Sequence, residues 1–332
     1  MALELNMQAV TTPPLPAATV VMLREDNDQG SGASAGFSVL LLKRHSASDV
    51  LGGAYVFPGG KVDPSDTALN LDTHLDQTPH DLHRALAEDD IDTLTAAGLF
   101  VAALREAFEE CGVLFSHHVQ TGQSLSAINN KTKNKENSEG NNEKRIGATP
   151  LGSADSLRLR AAMRAGTSFN QLLADNALCL DSRSVVPWSR WITPMVPAMM
   201  RKRFDTRFFV AIAPPSQLAS HDNHEATESV WLTPREALTQ YWQGQIELAP
   251  PQIMSLAHLA HFATAAEVLA AARQRTPPII RPEHQFINET RTLCYPGDPL
   301  HSVPERALPG PTRLSHRSPR FEPDGGFEAF FA

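Results

Sequence analysis

Cysteine is scarce in this chain. There are three among 332 residues, Cys111, Cys179 and Cys294, odd in number and far apart. Such spacing excludes a disulfide framework and a zinc site and fits a reducing compartment, so a cytoplasmic location is expected. There is no surplus of base either: 29 Lys and Arg stand against 37 Asp and Glu, a formal net charge of −8. That balance argues against a general nucleic-acid binder. No run of about 18 apolar residues occurs, so no membrane span is expected. The first residues lack the basic region and long apolar run of a secretory leader. Without secretion, the sequons at Asn130 and Asn288 carry no glycosylation reading. The closing Phe330-Phe331-Ala332 is not a peroxisomal address. What is present, 42% hydrophobic and 20% charged residues, belongs to a soluble globular protein long enough to bury a full core.

The most informative stretch is Leu104 to Val113. Apolar residues at Val101, Leu104, Phe108 and Cys111 make a helical stripe. Glu106, Glu109 and Glu110 share the opposite face, and Gly112 stands where helices end. Three carboxylates therefore crowd a last turn whose dipole favours cations. At about 6 Å and an effective dielectric near 20, each like pair repels by roughly 3 kcal/mol before screening. A divalent cation would remove that penalty. Taken alone, the cluster reads equally as a solvated acidic face.

Along the chain, the apolar runs 17–24 and 37–44, separated by a Gly/Ser/Asp-rich turn, predict a hairpin. Residues 54–57 form a short strand into Pro58-Gly59-Gly60, a bend where backbone can approach a ligand closely. Residues 63–92 hold nine acids against Arg84 and read as a solvated surface excursion rather than a lid. A helix over 95–111 and a strand over 113–115 follow. Residues 120–150 read as a flexible insertion, and 155–178 as a helical insert. Residues 206–212 are a strand. Arg201, Lys202, Arg203 and Arg207 form a basic cluster suited to phosphate, each arginine equally readable as a structural partner of Asp205 or a nearby acid. Residues 225–232 are a strand, then Thr233-Pro234-Arg235-Glu236 is a capping box. One long helix is expected from Pro250 to about Arg273, with His258 and His261 at i, i+3 more readily structural than ligating. The Pro/Arg-rich 276–332 reads most simply as a disordered tail, with wrapping of the core or a role in dimerisation as the alternative.

Gly60, followed by Arg105-Glu106, Glu109-Glu110 and Gly112-Val113, resembles the Nudix hydrolase box, G-x5-E-x7-R-E-U-x-E-E-x-G-U, with two departures. Asp66 stands for the first glutamate, and 31 extra residues split the box before Arg105. A split of this kind is similar to the branch of peroxisomal coenzyme A diphosphatases and their bacterial relatives, as are Trp191-Ile192-Thr193-Pro194 and Arg203-Phe204-Asp205-Thr206-Arg207. The other coenzyme A motif of the superfamily has an arginine where Asp49 stands here. The resemblance implies an α/β/α sandwich with a mixed sheet over 15–275, interrupted by the acidic insertion 63–95 and the other two inserts.

It further implies Mg²⁺ or Mn²⁺ held by Glu106, Glu109, Glu110 and a backbone carbonyl at Gly59 or Gly60, with Arg105 orienting a glutamate. The general base is left open among Glu109, Glu225 and Glu228, and Arg44, Arg203 and Arg207 are candidates for the substrate's phosphates. The expected reaction cuts coenzyme A or acyl-CoA to 3′,5′-ADP and (acyl-)4′-phosphopantetheine. Hydrolysis of another nucleoside diphosphate conjugate, such as ADP-ribose or NADH, and a non-catalytic binding module are the alternatives. The expected partner is a small nucleoside diphosphate substrate, with no nucleic acid and no membrane; a homodimer is left open.

Overall fold

The computed structural model describes residues 8–26, 36–48, 50–119, 152–196, 202–222, 224–317 and 319–332. The expected flexible insertion at 120–150, Asp49 and Arg201 lie outside the described residues. In chain order, β1 (Leu15–Asp26), β2 (Gly36–Arg44), β3 (Tyr55–Val56) and β4 (Gly59–Lys61) lead to three short helices, α1 (Pro64–Thr67), α2 (Leu71–His74) and α3 (Pro79–Leu86). The helix α4 (Thr93–Cys111) follows, then β5 (Ser116–His118), α5 (Ser153–Arg164), α6 (Phe169–Asp175) and β6 (Leu178–Leu180). Next come β7 (Val186–Ile192), β8 (Phe204–Ile212), β9 (Ala226–Leu232), α7 (Pro234–Trp242), α8 (Pro250–Leu259) and α9 (Ala265–Gln274).

The main sheet is mixed. β1 runs parallel to β8 along Leu15 to Leu23, antiparallel to β2 over Leu23 to Asp26, and antiparallel to β4 over Ala17 to Thr19. The sheet thus forks at the middle of β1: its first half pairs with the glycine bend and its second half with β2. β2 pairs onward with β9 and β3. Strand alternation assigns the two faces. Val20, Met22, Leu40, Leu42, Phe209 and Ala211 pack with α4, whereas Val21, Leu23, Val39, Leu41, Phe208 and Val210 pack with α7, α8 and α9. The result is the expected α/β/α sandwich. The hairpin, the helix ending at αL Gly112 (φ 72°), the helical insert and the Thr233–Glu236 capping box all form as read.

Four expectations need correction. The acidic segment 63–92 is not a solvated excursion: α1–α3 lay Leu69, Leu75, Leu82 and Leu86 into the core beside α4. Two of its acids, Asp66 and Glu88, are themselves buried against arginines. Residues 113–115 are buried but not a strand, and Leu114 exchanges both its backbone groups with the Gln217 carboxamide at 2.8 Å. The long helix from Pro250 breaks after Leu259, because Thr264 caps a new helix by accepting from Glu267 N–H. Finally, 276–332 is folded. β10 (Ile279–Ile280) extends the main sheet beside β7, and β11 (Glu283–Ile287), β12 (Thr290–Cys294), β13 (Arg313–Arg317) and β14 (Arg320–Glu322) make an antiparallel sheet. Leu293, Leu314, Phe321 and Phe330 from this segment are buried against the α7–α9 face; composition hid an apolar set spaced by turns.

Candidate active site

The split box closes in space. The β1–β4 pairing sets Gly60 opposite Ala18 and Gly59 opposite Thr19, and α4 runs beneath the bend with its last two turns against it. Glu110 Oε2 accepts from Gly59 N–H at 2.9 Å. A Cβ on Gly60 would lie 2.4 Å from Glu106 Oε1, and one on Gly59 would lie 2.5 Å from Ala18 O. Both glycines are therefore required by the close approach of main chain to carboxylate and to β1.

Arg105 organises the acids. Its guanidinium donates to Asp66 at 2.8 and 3.0 Å, to Glu106 Oε1 at 2.9 Å, to Glu109 Oε2 at 2.8 Å and to Lys61 O at 3.0 Å. The shorter acid at position 66 reaches because α1, opened by Pro64, brings it to the arginine. Arg105 is 5% exposed, with its guanidinium engaged by three acids and a carbonyl.

The electrostatics are unbalanced. Glu106 is 9% and Glu110 4% exposed. Burial, followed for Glu110 by the charge of Glu106, pushes the Glu110 carboxyl up to about 8. Burial raises Glu106 to about 7, with Arg105 pulling the other way. Burial also raises Glu109. Arg44 reaches Glu110 at 3.8 Å and Glu225 at 3.6 Å, too far for a hydrogen bond to either. Burial thus disfavours the charged form of both carboxyls, and the neighbouring arginines offset it only in part.

A cavity of about 520 Å³ opens over this bend, lined by Gly60, Arg105, Glu106, Glu109, Arg44 and Glu225 on its acidic side. Among the described residues, no three His, Cys, Asp or Glu side chains stand as a preformed metal group. Glu109 points to Arg105 instead. The donor set nonetheless fits a hard cation: two buried carboxylates one turn apart beside a bend that leaves no room for a side chain.

Not every candidate joins this site. Arg207 is 3% exposed and bound to Glu88 and Asp205; Arg190 completes that cluster, at 2.9 Å from Glu88 and 2.8 Å from Asp205. The structural reading of Arg207 is the one observed, and its partner comes from the acidic insertion. Arg203 is not itself part of the cavity lining: it donates to the carbonyl of Thr193, which is, and to Thr12 O. Glu228 lies on β9 against Lys43 at 3.6 Å, leaving Glu225 as the acid of that loop that faces the cavity. The His258–His261 pair is no ligand pair: His258 is buried and stacked on Trp188, with ring centroids 4.5 Å apart.

Sequence reasoning missed Arg160. This buried side chain of α5 donates to Glu109 O at 2.9 Å and Glu110 O at 2.8 Å. It places a cation at the C-terminus of α4, where the dipole and unpaired carbonyls call for one. The signal was the mismatch itself, an acidic last turn with no basic residue of its own.

Among the described residues no helix is long and apolar enough to cross a membrane. The profile of the NUDT19 Nudix domain matches residues 15–259. The chain is 27% identical over 249 residues to an acyl-coenzyme A diphosphatase NUDT19 of Xenopus laevis, covering 68% of this chain and 60% of that protein. It is 27% identical over 256 residues to the Homo sapiens protein of the same name, covering 70% and 63%. The chain thus spans less than two thirds of these relatives. A crystal structure of a NUDIX hydrolase from Alicyclobacillus acidocaldarius superposes with a TM-score of 0.54 and 25% identity, covering 78% of this chain and 97% of that one. With the glycine bend and the acids of α4 brought together as in a Nudix box, and three quarters of its length matched, the chain belongs to the NUDT19 Nudix domain family.

Proposed function

We propose that the chain is a Mg²⁺- or Mn²⁺-dependent diphosphatase that hydrolyses coenzyme A or its acyl esters to 3′,5′-ADP and (acyl-)4′-phosphopantetheine. One observation carries this reading: Glu106 and Glu110 are buried together at the glycine bend, Glu110 accepting from Gly59 N–H and Glu106 lying against Gly60. Hard carboxylate oxygens suit Mg²⁺, which keeps several waters. Glu106 and Glu110 would hold the ion beside the Gly60 backbone, with Glu109 as a further donor. When bound, the ion offsets the doubly anionic linkage and acidifies the attacking water.

The chain's own groups do the rest. Arg105 fixes Glu106 and Glu109 so that neither reorganises during the reaction. Arg44, on the cavity wall within 3.8 Å of Glu110 and 3.6 Å of Glu225, would take a diphosphate oxygen. Of the three candidate bases, Glu109 and Glu225, the latter with its side chain 63% exposed, line the cavity and Glu228 does not. The names of the Xenopus and human relatives support the choice of an acyl-CoA substrate.

The test is a panel of CoA, acyl-CoA, ADP-ribose, NADH and dinucleoside polyphosphates with Mg²⁺ or Mn²⁺ and with chelator, products identified by mass. Preferential, metal-dependent release of 3′,5′-ADP supports the proposal. Preference for ADP-ribose or a dinucleotide replaces the substrate, and no turnover of any diphosphate replaces the enzyme with a binding module.

A further inference from the structure

The cavity has a second wall that the hydrolytic chemistry leaves unused. Beyond the acids, its lining is largely aliphatic, including Leu51, Ile192, Pro250, Pro251, Pro282 and Leu293. Pro282 and Leu293 belong to the C-terminal segment past residue 259, where the family match ends. Set in this wall is Gln252, in the first turn of α8. It is 7% exposed, and its carboxamide oxygen is buried with no hydrogen-bond partner among the described residues. An unbonded buried amide is unfavourable, so a site that keeps one at a cavity wall is suited to a ligand that completes it.

The chemistry of that ligand can be narrowed. The orphan atom is an acceptor, so the ligand must bring an N–H or O–H. A primary carboxamide satisfies itself fully against a secondary amide, accepting its N–H and donating to its C=O. A purine could also offer an N–H, but it would want an open ring face on which to stack. Three of the four rings lining this cavity do not provide one, and the fourth, Phe204, is half-buried. Phe57 meets Phe208 edge-on at 6.1 Å, Trp191 lies 6.0 Å from Phe208, and the three are 2%, 4% and 4% exposed. An aliphatic chain bearing amides suits such walls.

We infer that Gln252 reads a secondary amide in an aliphatic arm of the diphosphate substrate, seated against Pro251 and Leu293, and so sets the preference for amide-bearing substrates. This rests on the diphosphatase reading above. Gln252 is a specificity-determining group and takes no part in bond cleavage.

The experiment uses the full chain and Gln252→Met, which keeps length and removes the amide. Kinetics are measured on CoA and on an amide-free diphosphate, ADP-ribose, and binding of 4′-phosphopantetheine is measured by calorimetry. The expected result is a kcat/KM that falls about ten-fold more for CoA than for ADP-ribose, through KM. Phosphopantetheine affinity should weaken about ten-fold as well. The unfolding midpoint should hold or rise, since an unpaired buried amide has been deleted. Equal losses on both substrates, unchanged phosphopantetheine affinity, or a lowered midpoint would each overturn the inference. If the wild type cleaves neither substrate, the diphosphatase reading fails by itself, and the calorimetric comparison still decides the role of Gln252.

Discussion

Arg105 and Asp66 meet as a two-pronged ion pair, at 2.8 and 3.0 Å, across 39 residues of chain. Asp66 is 1% exposed, so the pair is desolvated and removal of one partner leaves a buried charge. Asp66→Asn is expected to cost about 3 kcal/mol in urea unfolding. It should also lower kcat at least about ten-fold, because Arg105 would no longer hold Glu106 and Glu109 in place. A stability loss with kcat intact would show that Arg105 does not position the acids through this contact.

Glu110→Gln keeps an oxygen for Gly59 N–H and removes the carboxylate. The expected outcome is a kcat lower by roughly 100-fold or more, with the metal-free unfolding midpoint unchanged or higher, since a carboxyl whose charged form burial penalises is gone. Mg²⁺ should raise the midpoint of the wild type and not that of the variant. Equal stabilisation of both by Mg²⁺ would remove Glu110 from the ion site.

What the sequence revealed and hid follows from the range of the interactions. The α4 stripe, its glycine stop, the hairpin and the Thr233 capping box are local, and each formed where residue spacing put it. The partners of the arginines are not local. Arg207 lies 119 residues from Glu88, and Arg160 about 50 from the carbonyls it caps. No spacing rule distinguishes a phosphate-binding arginine from one that will meet a buried acid. The acidic insertion misled for the same reason: its charge is conspicuous in composition, while four spaced leucines decide its packing. The C-terminal segment hid its strands in a Pro-rich composition that resembles a tail.

Arg160 ties the helical insert to the box. Its guanidinium serves Glu109 O and Glu110 O as well as Ser220 O at 2.9 Å. Arg160→Met should leave those carbonyls unpaired and cost about 2–4 kcal/mol by chemical denaturation. Arg160→Lys should recover only part of the loss, because an ammonium lacks the fork that spans two carbonyls. Full recovery by lysine would mean that charge at the helix end matters and geometry does not.

His258 gives the pH dependence of stability a definite sign. Burial, then the charges of Arg275 and His261, hold its imidazole down to about 3. Arg275 stacks over the same Trp188, 3.9 Å from the ring centroid, and Nδ1 of His258 is buried without a hydrogen-bond partner among the described residues. In the unfolded chain the group titrates near its ordinary value of about 6.5. Between these values the unfolded state takes up a proton that the folded state refuses, so stability is fully present above pH 6.5 and is lost as pH falls towards 3. The slope is about 1.4 kcal/mol per pH unit. His258→Phe keeps a ring on Trp188 and cannot titrate. Urea unfolding at pH 7.0, 5.5 and 4.5 should show the wild type losing ground against the variant by about 2–3 kcal/mol over that span. Parallel stability curves for the two proteins would show that His258 titrates in the folded state as it does in the unfolded chain.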